Sequence, residues 1–152
     1  MPVEPYILQL FPGLSPTDAN KTSESTRQYN CIAWAADDRT RQWWPLPPNH
    51  FAVYWPRRVP NAVSCQAFEL AFNTLGYRRC QDESLEVDIE KVAIFVDANN
   101  VPTHAARQLP DGYWTSKLGD LEDIRHALRQ LEGSAYGTVA FIMSRPRARN
   151  GQ

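Results

Sequence analysis

The 152-residue chain has only three cysteines, three histidines, two methionines and seven glycines. Cys31, Cys65 and Cys80 are odd in number and share no repeated spacing. A disulfide framework is therefore not expected, and at least one thiol stays free. No Cys-x-x-Cys, His-x-x-x-His or His-Glu-x-x-His spacing is present, which argues against a metal site, and the glycines form no phosphate-cradling loop. No cofactor is expected. No hydrophobic run approaches the ~20 apolar residues that cross a bilayer, and Met1 to Phe11 lacks the basic start, apolar stretch and cleavage site of a signal peptide. These absences point to a cytoplasmic protein with no membrane partner, although export by a route that needs no signal peptide stays open. A formal net charge of −1 supplies no field to gather phosphate backbones, so nucleic acid is not expected as a partner. The one basic cluster, Arg145, Arg147 and Arg149 around Pro146, reads as part of a solvated basic tail over residues 146–152.

What the chain does have is 43% apolar and 22% charged residues, the balance of one globular domain that can bury its own core. Residues 1–28, rich in Pro, Ser, Thr and Asn, read as an N-terminal arm laid over that domain. A helix is expected to begin near Asn30 or Cys31, where Ile32, Ala33, Trp34, Ala35 and Ala36 supply good helix formers. Trp43 through Pro56 has too many prolines for a regular element and too many aromatic rings for a disordered linker. A second helix fits about Asn61 to Leu75, stopped by Gly76. Beyond Glu90 the pattern turns to strands at 92–96, 104–109, 113–118 and 138–143. Pro110-Asp111-Gly112 suits a three-residue hairpin loop between the second and third of these. Between Asp120 and Gly133, Leu121, Ile124, Leu128 and Leu131 recur at helical spacing and predict a capped helix. The fold class expected is α+β, with N-terminal helices packed on a mostly antiparallel sheet.

Cys31 in the first turn of a helix is the candidate nucleophile, because a helix N-terminus and a nearby imidazolium both favour thiolate. A buried free cysteine can equally serve as a small hydrophobe, and Cys65 and Cys80 are read that way. His104 opens a strand after a turn and is the candidate base. His50 lies in the aromatic loop, and His126 falls mid-helix and reads as structural. The hairpin register sets Ala106 opposite Ser116 and puts Ser116 and Gln108 on the His104 face. Either residue could orient the imidazole, as could Asp120, Glu122 or Asp123 from the following helix. Asn30 and Trp34 beside the nucleophile, and Gln108 and Trp114 on the hairpin, are candidate substrate contacts. Trp43, Trp44, Trp55 and Trp114 could line an apolar or sugar-stacking cleft, or fill the core.

Cys31 at the start of the first main helix, His104 opening a strand and a polar residue on the next strand resemble the papain-like cysteine hydrolase superfamily, especially its NlpC/P60 and CHAP branches. The resemblance implies a papain-like domain over residues 29–145, with Cys31 as nucleophile, His104 as base and Ser116 as orienter. A serine is a departure there, since the superfamily usually has His, Asn, Asp, Glu or Gln. Gln28 stands too close to Cys31 to match the papain glutamine. Tyr29-Asn30-Cys31-Ile32-Ala33-Trp34-Ala35, Thr103-His104-Ala105-Ala106 and Trp114-Thr115-Ser116-Lys117-Leu118-Gly119 also resemble an uncharacterised bacterial domain family spanning Tyr29 to Arg145. The activity implied is hydrolysis of a peptide or other amide-containing substrate through a thioester. A catalytically weak binding module is one alternative. A bacterial toxin or effector, acting as amidase or deamidase and met by a bacterial partner or immunity protein, is the other.

Overall fold

The structure is a computed structural model and describes residues 1–45 and 53–148. In chain order its elements are α1 (Pro5–Leu10), β1 (Asn20–Ser23), α2 (Cys31–Ala35), β2 (Gln42–Trp43), β3 (Val53–Tyr54), α3 (Cys65–Asn73), β4 (Arg78–Cys80), β5 (Ile89–Val96), β6 (Pro102–Gln108), β7 (Trp114–Lys117), β8 (Asp123–His126), a 3₁₀ turn (Leu128–Leu131) and β9 (Thr138–Pro146). Seven strands form one antiparallel sheet in the order β1-β8-β7-β6-β5-β9-β4, and β2 pairs with β3 in a small parallel ribbon.

This architecture corrects the papain-like expectation of helices packed on a sheet. The sheet is the body of the molecule, and the α-helices are short, at six, five and nine residues. A second correction concerns residues 120–133, where Asp123–His126 is a strand between β1 and β7 rather than part of a helix. The apolar spacing there suits a helix, but Ile124 is fully buried as a strand residue opposite Ser116. Cross-strand pairing on both edges outweighs the local preference.

Local signals explain most other elements. Asn30 accepts the Ala33 amide at 3.1 Å and Ser64 accepts the Ala67 amide at 3.1 Å, the side-chain caps that start α2 and α3. Gly76, at φ +93°, takes up the left-handed conformation just past α3. In the β6–β7 hairpin the Leu109 amide reaches the Tyr113 carbonyl at 2.7 Å, and Gly112 sits at φ +92°, as a Pro-Asp-Gly loop requires.

Alternation on the central strands divides the core in two. One layer joins Ala93, Phe95, Ala106, Trp114, Ile124 and Ile142 to α1 and the 3₁₀ turn through Ile7, Phe11, Leu128 and Leu131. The other joins Val92, Ile94, Ala105 and Met143 to α2 and α3 through Cys31, Ile32, Phe68 and Phe72. Residues 1–28 thus supply both α1, which covers the first layer, and the edge strand β1. At the other end, Pro146 closes β9 and Arg147 donates its amide to the Asp88 carbonyl at 2.7 Å, so the expected tail begins inside the sheet.

Candidate functional site

Cys31 is the first residue of α2 and keeps 7% of its surface exposed. It belongs to the second layer and meets the sheet at Ala105, whose amide, with those of Ile32 and Cys31 itself, favours a thiolate. Burial outweighs these groups and the Lys117 ammonium behind them, pushing the thiol up to about 11. The expected thiolate character is therefore corrected: at neutral pH Cys31 rests as a thiol, because a five-residue helix cannot offset the loss of solvent.

His104 precedes Ala105 on β6, so its side chain enters the first layer, opposite Phe95. The ring is fully buried and lies flat against Tyr136, with centroids 4.0 Å apart and planes 7° from parallel. Its Nε2 is 2.9 Å from Ser116 Oγ. Ser116 Oγ is in turn 2.8 Å from His126 Nε2, and His126 Nδ1 is 2.9 Å from the Ala127 carbonyl. His104 Nδ1 is buried and has no hydrogen-bond partner among the described residues, and no hydrogen bond joins it to Cys31. Burial, then the neighbouring His126, holds His104 well below the usual histidine range, and burial pushes His126 down to about 4. Both imidazoles are neutral at neutral pH. Burial raises the hydroxyl of half-buried Tyr136, and a charge on Cys31 would raise it further.

Of the candidates for orienting His104, Ser116 alone reaches it among the described residues. Gln108 donates instead to the Glu83 carbonyl at 2.9 Å. Asp120 pairs with Arg27 at 3.6 Å, Glu122 accepts the Tyr6 hydroxyl, and Asp123 accepts the hydroxyls of Thr22 and Tyr29. His126, expected mid-helix, is a buried strand residue two positions beyond Ile124. An apolar-polar alternation through Ile124-Arg125-His126 was the available signal. Tyr136 had none, since its placement depends on a contact 32 residues from His104.

The candidate substrate contacts have other work in this structure. Asn30 clamps Trp43, accepting its amide at 3.0 Å and donating to its carbonyl at 2.8 Å. Trp34 stacks on Tyr29 and donates Nε1–H to Thr115 Oγ1 at 2.9 Å. Trp114 is 2% exposed and borders an open groove of about 690 Å³ lined by Leu85, Tyr113 and Arg129 among others, with neither Cys31 nor His104 in its wall. Trp43 is buried, and Trp44 and Trp55 pack on Phe68, so these rings pin α2 and α3. Cys65 and Cys80 are half-buried free thiols. His50 lies outside the described residues, as does Arg149. Among the described residues no group of three His, Cys, Asp or Glu side chains could hold a metal ion, and no helix is long and apolar enough to cross a membrane.

Residues 20–144 match the family described as a domain of unknown function, DUF7689. The chain belongs to this family. The match takes in Cys31, His104, Ser116, His126 and Tyr136, and leaves α1 outside it. No curated protein and no solved structure matches the chain.

Proposed function

We propose that this DUF7689 chain is a cysteine-dependent hydrolase of the peptidase or amidase type, with Cys31 as nucleophile and His104 as base. The observation that carries the reading is the Nδ1 of a buried imidazole, which has no hydrogen-bond partner among the described residues while the ring's other nitrogen is held by Ser116. Leaving a buried acceptor unpaired costs roughly 1–3 kcal/mol, and a catalytic role is one of the reasons for which a protein bears such a cost. His104 is joined by the peptide bond to Ala105, whose amide favours a charged Cys31 sulfur.

Because thiol and imidazole both rest neutral, the proton leaves Cys31 for His104 as the sulfur–carbon bond forms. The imidazolium then protonates the departing amine or alcohol. A water molecule gives its proton to His104 as it attacks the thioester, and sulfur leaves to recover that proton. No hydrogen bond joins Cys31 to His104 among the described residues, so the transfer requires the two side chains to be brought together when substrate binds.

A second reading, a binding module with an inert thiol, draws on the burial and raised pKa of Cys31. Rates of Cys31 modification by iodoacetamide, resolved from Cys65 and Cys80 by peptide mass spectrometry, separate the two. An unassisted thiol of pKa about 11 reacts only as thiolate, and its rate climbs about tenfold per pH unit from pH ~6 to ~9. A base-assisted thiol gives a flat profile over that range, with a rate that falls in His104→Ala. A tenfold climb that His104→Ala leaves untouched overturns the hydrolase.

A further inference from the structure

We propose that His126 is the positioning residue of this site: through Ser116 it fixes His104 in the tautomer with hydrogen on Nε2 and a lone pair on Nδ1. This deepens the cysteine-hydrolase reading and rests on it for its consequence, since it names the nitrogen that takes the thiol proton. The relay itself stands on hydrogen-bond geometry.

The chain of deductions starts at a backbone carbonyl. The Ala127 oxygen can only accept, so His126 Nδ1, 2.9 Å away, must carry a hydrogen. His126 is fully buried with no carboxylate partner among the described residues and is neutral at neutral pH, so its Nε2 has a lone pair and no proton. Ser116 Oγ, 2.8 Å from that lone pair, must spend its single hydrogen there. The serine then offers only lone pairs to His104 Nε2 at 2.9 Å, which must donate. A neutral His104 has one ring hydrogen, and it is now placed. Nδ1 is left bare, and it is the ring nitrogen without a partner among the described residues. Reversing every bond would set the His126 Nδ1 lone pair against the Ala127 oxygen, a repulsive contact with no compensating donor.

The sheet holds the relay rigid. Ser116 stands on β7 between β6 and β8, on the face shared by His104 and by His126, whose strand neighbour is Trp114. Phe95 and Tyr136 close the two sides of the His104 ring. When His104 accepts the thiol proton it still donates from Nε2, so no member of the relay has to reverse during the reaction. A base prepared in this way needs no reorganisation at the moment of transfer.

Long-range ¹H–¹⁵N correlation spectra of the intact protein near pH 7 test this directly. The expected result is His104 protonated on Nε2 alone and His126 protonated on Nδ1 alone. His104 protonated on Nδ1 overturns the relay whatever Cys31 does. In His126→Phe the serine hydrogen is freed to turn toward His104; the expected outcome is a mixed His104 tautomer and Cys31 modification slowed by about two- to fivefold, in proportion to the fraction of His104 that loses its bare Nδ1. His126→Gln, whose amide oxygen lies where Nε2 did, is expected to restore both. An unchanged tautomer and rate in His126→Phe overturns the positioning role. If the tautomers are as expected but His104→Ala leaves the Cys31 rate untouched, the relay stands and the hydrolase fails.

Discussion

At the scale of single residues, the two buried histidines make the fold sensitive to acid. Burial lowers the His126 pKa from 6.5 to about 4 and lowers His104 as well. Between those values the unfolded chain binds protons that the folded chain refuses, so stability is complete above pH ~6.5 and is lost as pH falls toward 4. The His126 shift corresponds to about 2–3 kcal/mol by pH ~4.5, and His104 adds loss of the same sign. Urea unfolding at pH 7.5 and pH 4.5 measures the difference, and His126→Gln should remove a large part of it. A stability that is level across this window would mean that the imidazoles are not held neutral. The thiol acts at the other end of the scale: Cys31, raised to about 11, rests protonated where the histidines rest neutral. Thiol and imidazoles are thus buried and uncharged at neutral pH, and on the proposed reading charge arises only during the reaction.

At the scale of elements, α2 places the sulfur, and one side chain does most of the placing. Asn30 caps the helix through Ala33 and holds Trp43 at both backbone amide and carbonyl. Asn30→Ala removes a cap worth about 1 kcal/mol and leaves further partly buried polar groups unpaired, for an expected loss of about 2 kcal/mol in chemical unfolding. Asn30→Asp keeps the acceptor for Ala33 and Trp43 but loses the donor to the Trp43 carbonyl, so it should recover part of that loss. Equal losses in the two variants would show that the clamp on Trp43, and not the cap, is what matters. The signals that sequence does carry are of this local kind: Asn30 before a run of helix formers, Ser64 before α3, Pro110-Asp111-Gly112 between strands. Each acts within a few residues, where the chain's own chemistry decides. Residues 120–133 are the counter-example. Leu121, Ile124, Leu128 and Leu131 satisfy a helical period, but Ile124 opposite Ser116 and Arg125 opposite Thr115 belong to a ladder whose partners lie elsewhere in the sequence. With β8 read as a helix, the contact of His126 with Ser116 could not be seen, whereas the hairpin register did put Ser116 on the His104 face.

At the scale of the whole molecule, Cys31 belongs to the layer of α2 and α3 and the histidine relay to the layer of α1, and β6 contributes to both through the adjacent residues Ala105 and His104. This order of seven strands is a non-local property, and no short window of sequence contains it. The layer holding the relay is closed from outside by Val3, Ile7, Phe11 and Leu14, all of which precede the family match at residue 20. The N-terminal segment is tied down at close range as well: a Cβ on Gly13 would come within 2.6 Å of the Gln130 carbonyl oxygen, so the loop after α1 rests directly on the 3₁₀ turn that follows His126. Each of those four apolar side chains stabilises by about 1.5–3 kcal/mol when fully buried, a sum comparable to the whole stability of a small domain. Removing residues 1–19 should therefore cost cooperative unfolding or leave a loosened protein that binds a hydrophobic dye, with the ring resonances of His104 and His126 no longer separated from those of solvent-exposed imidazole. If the shortened chain unfolds with an unchanged midpoint and the same histidine tautomers, the sheet alone keeps the relay dry and α1 is dispensable. The expected failure would instead show that the site depends on a cover lying outside the segment that defines the family.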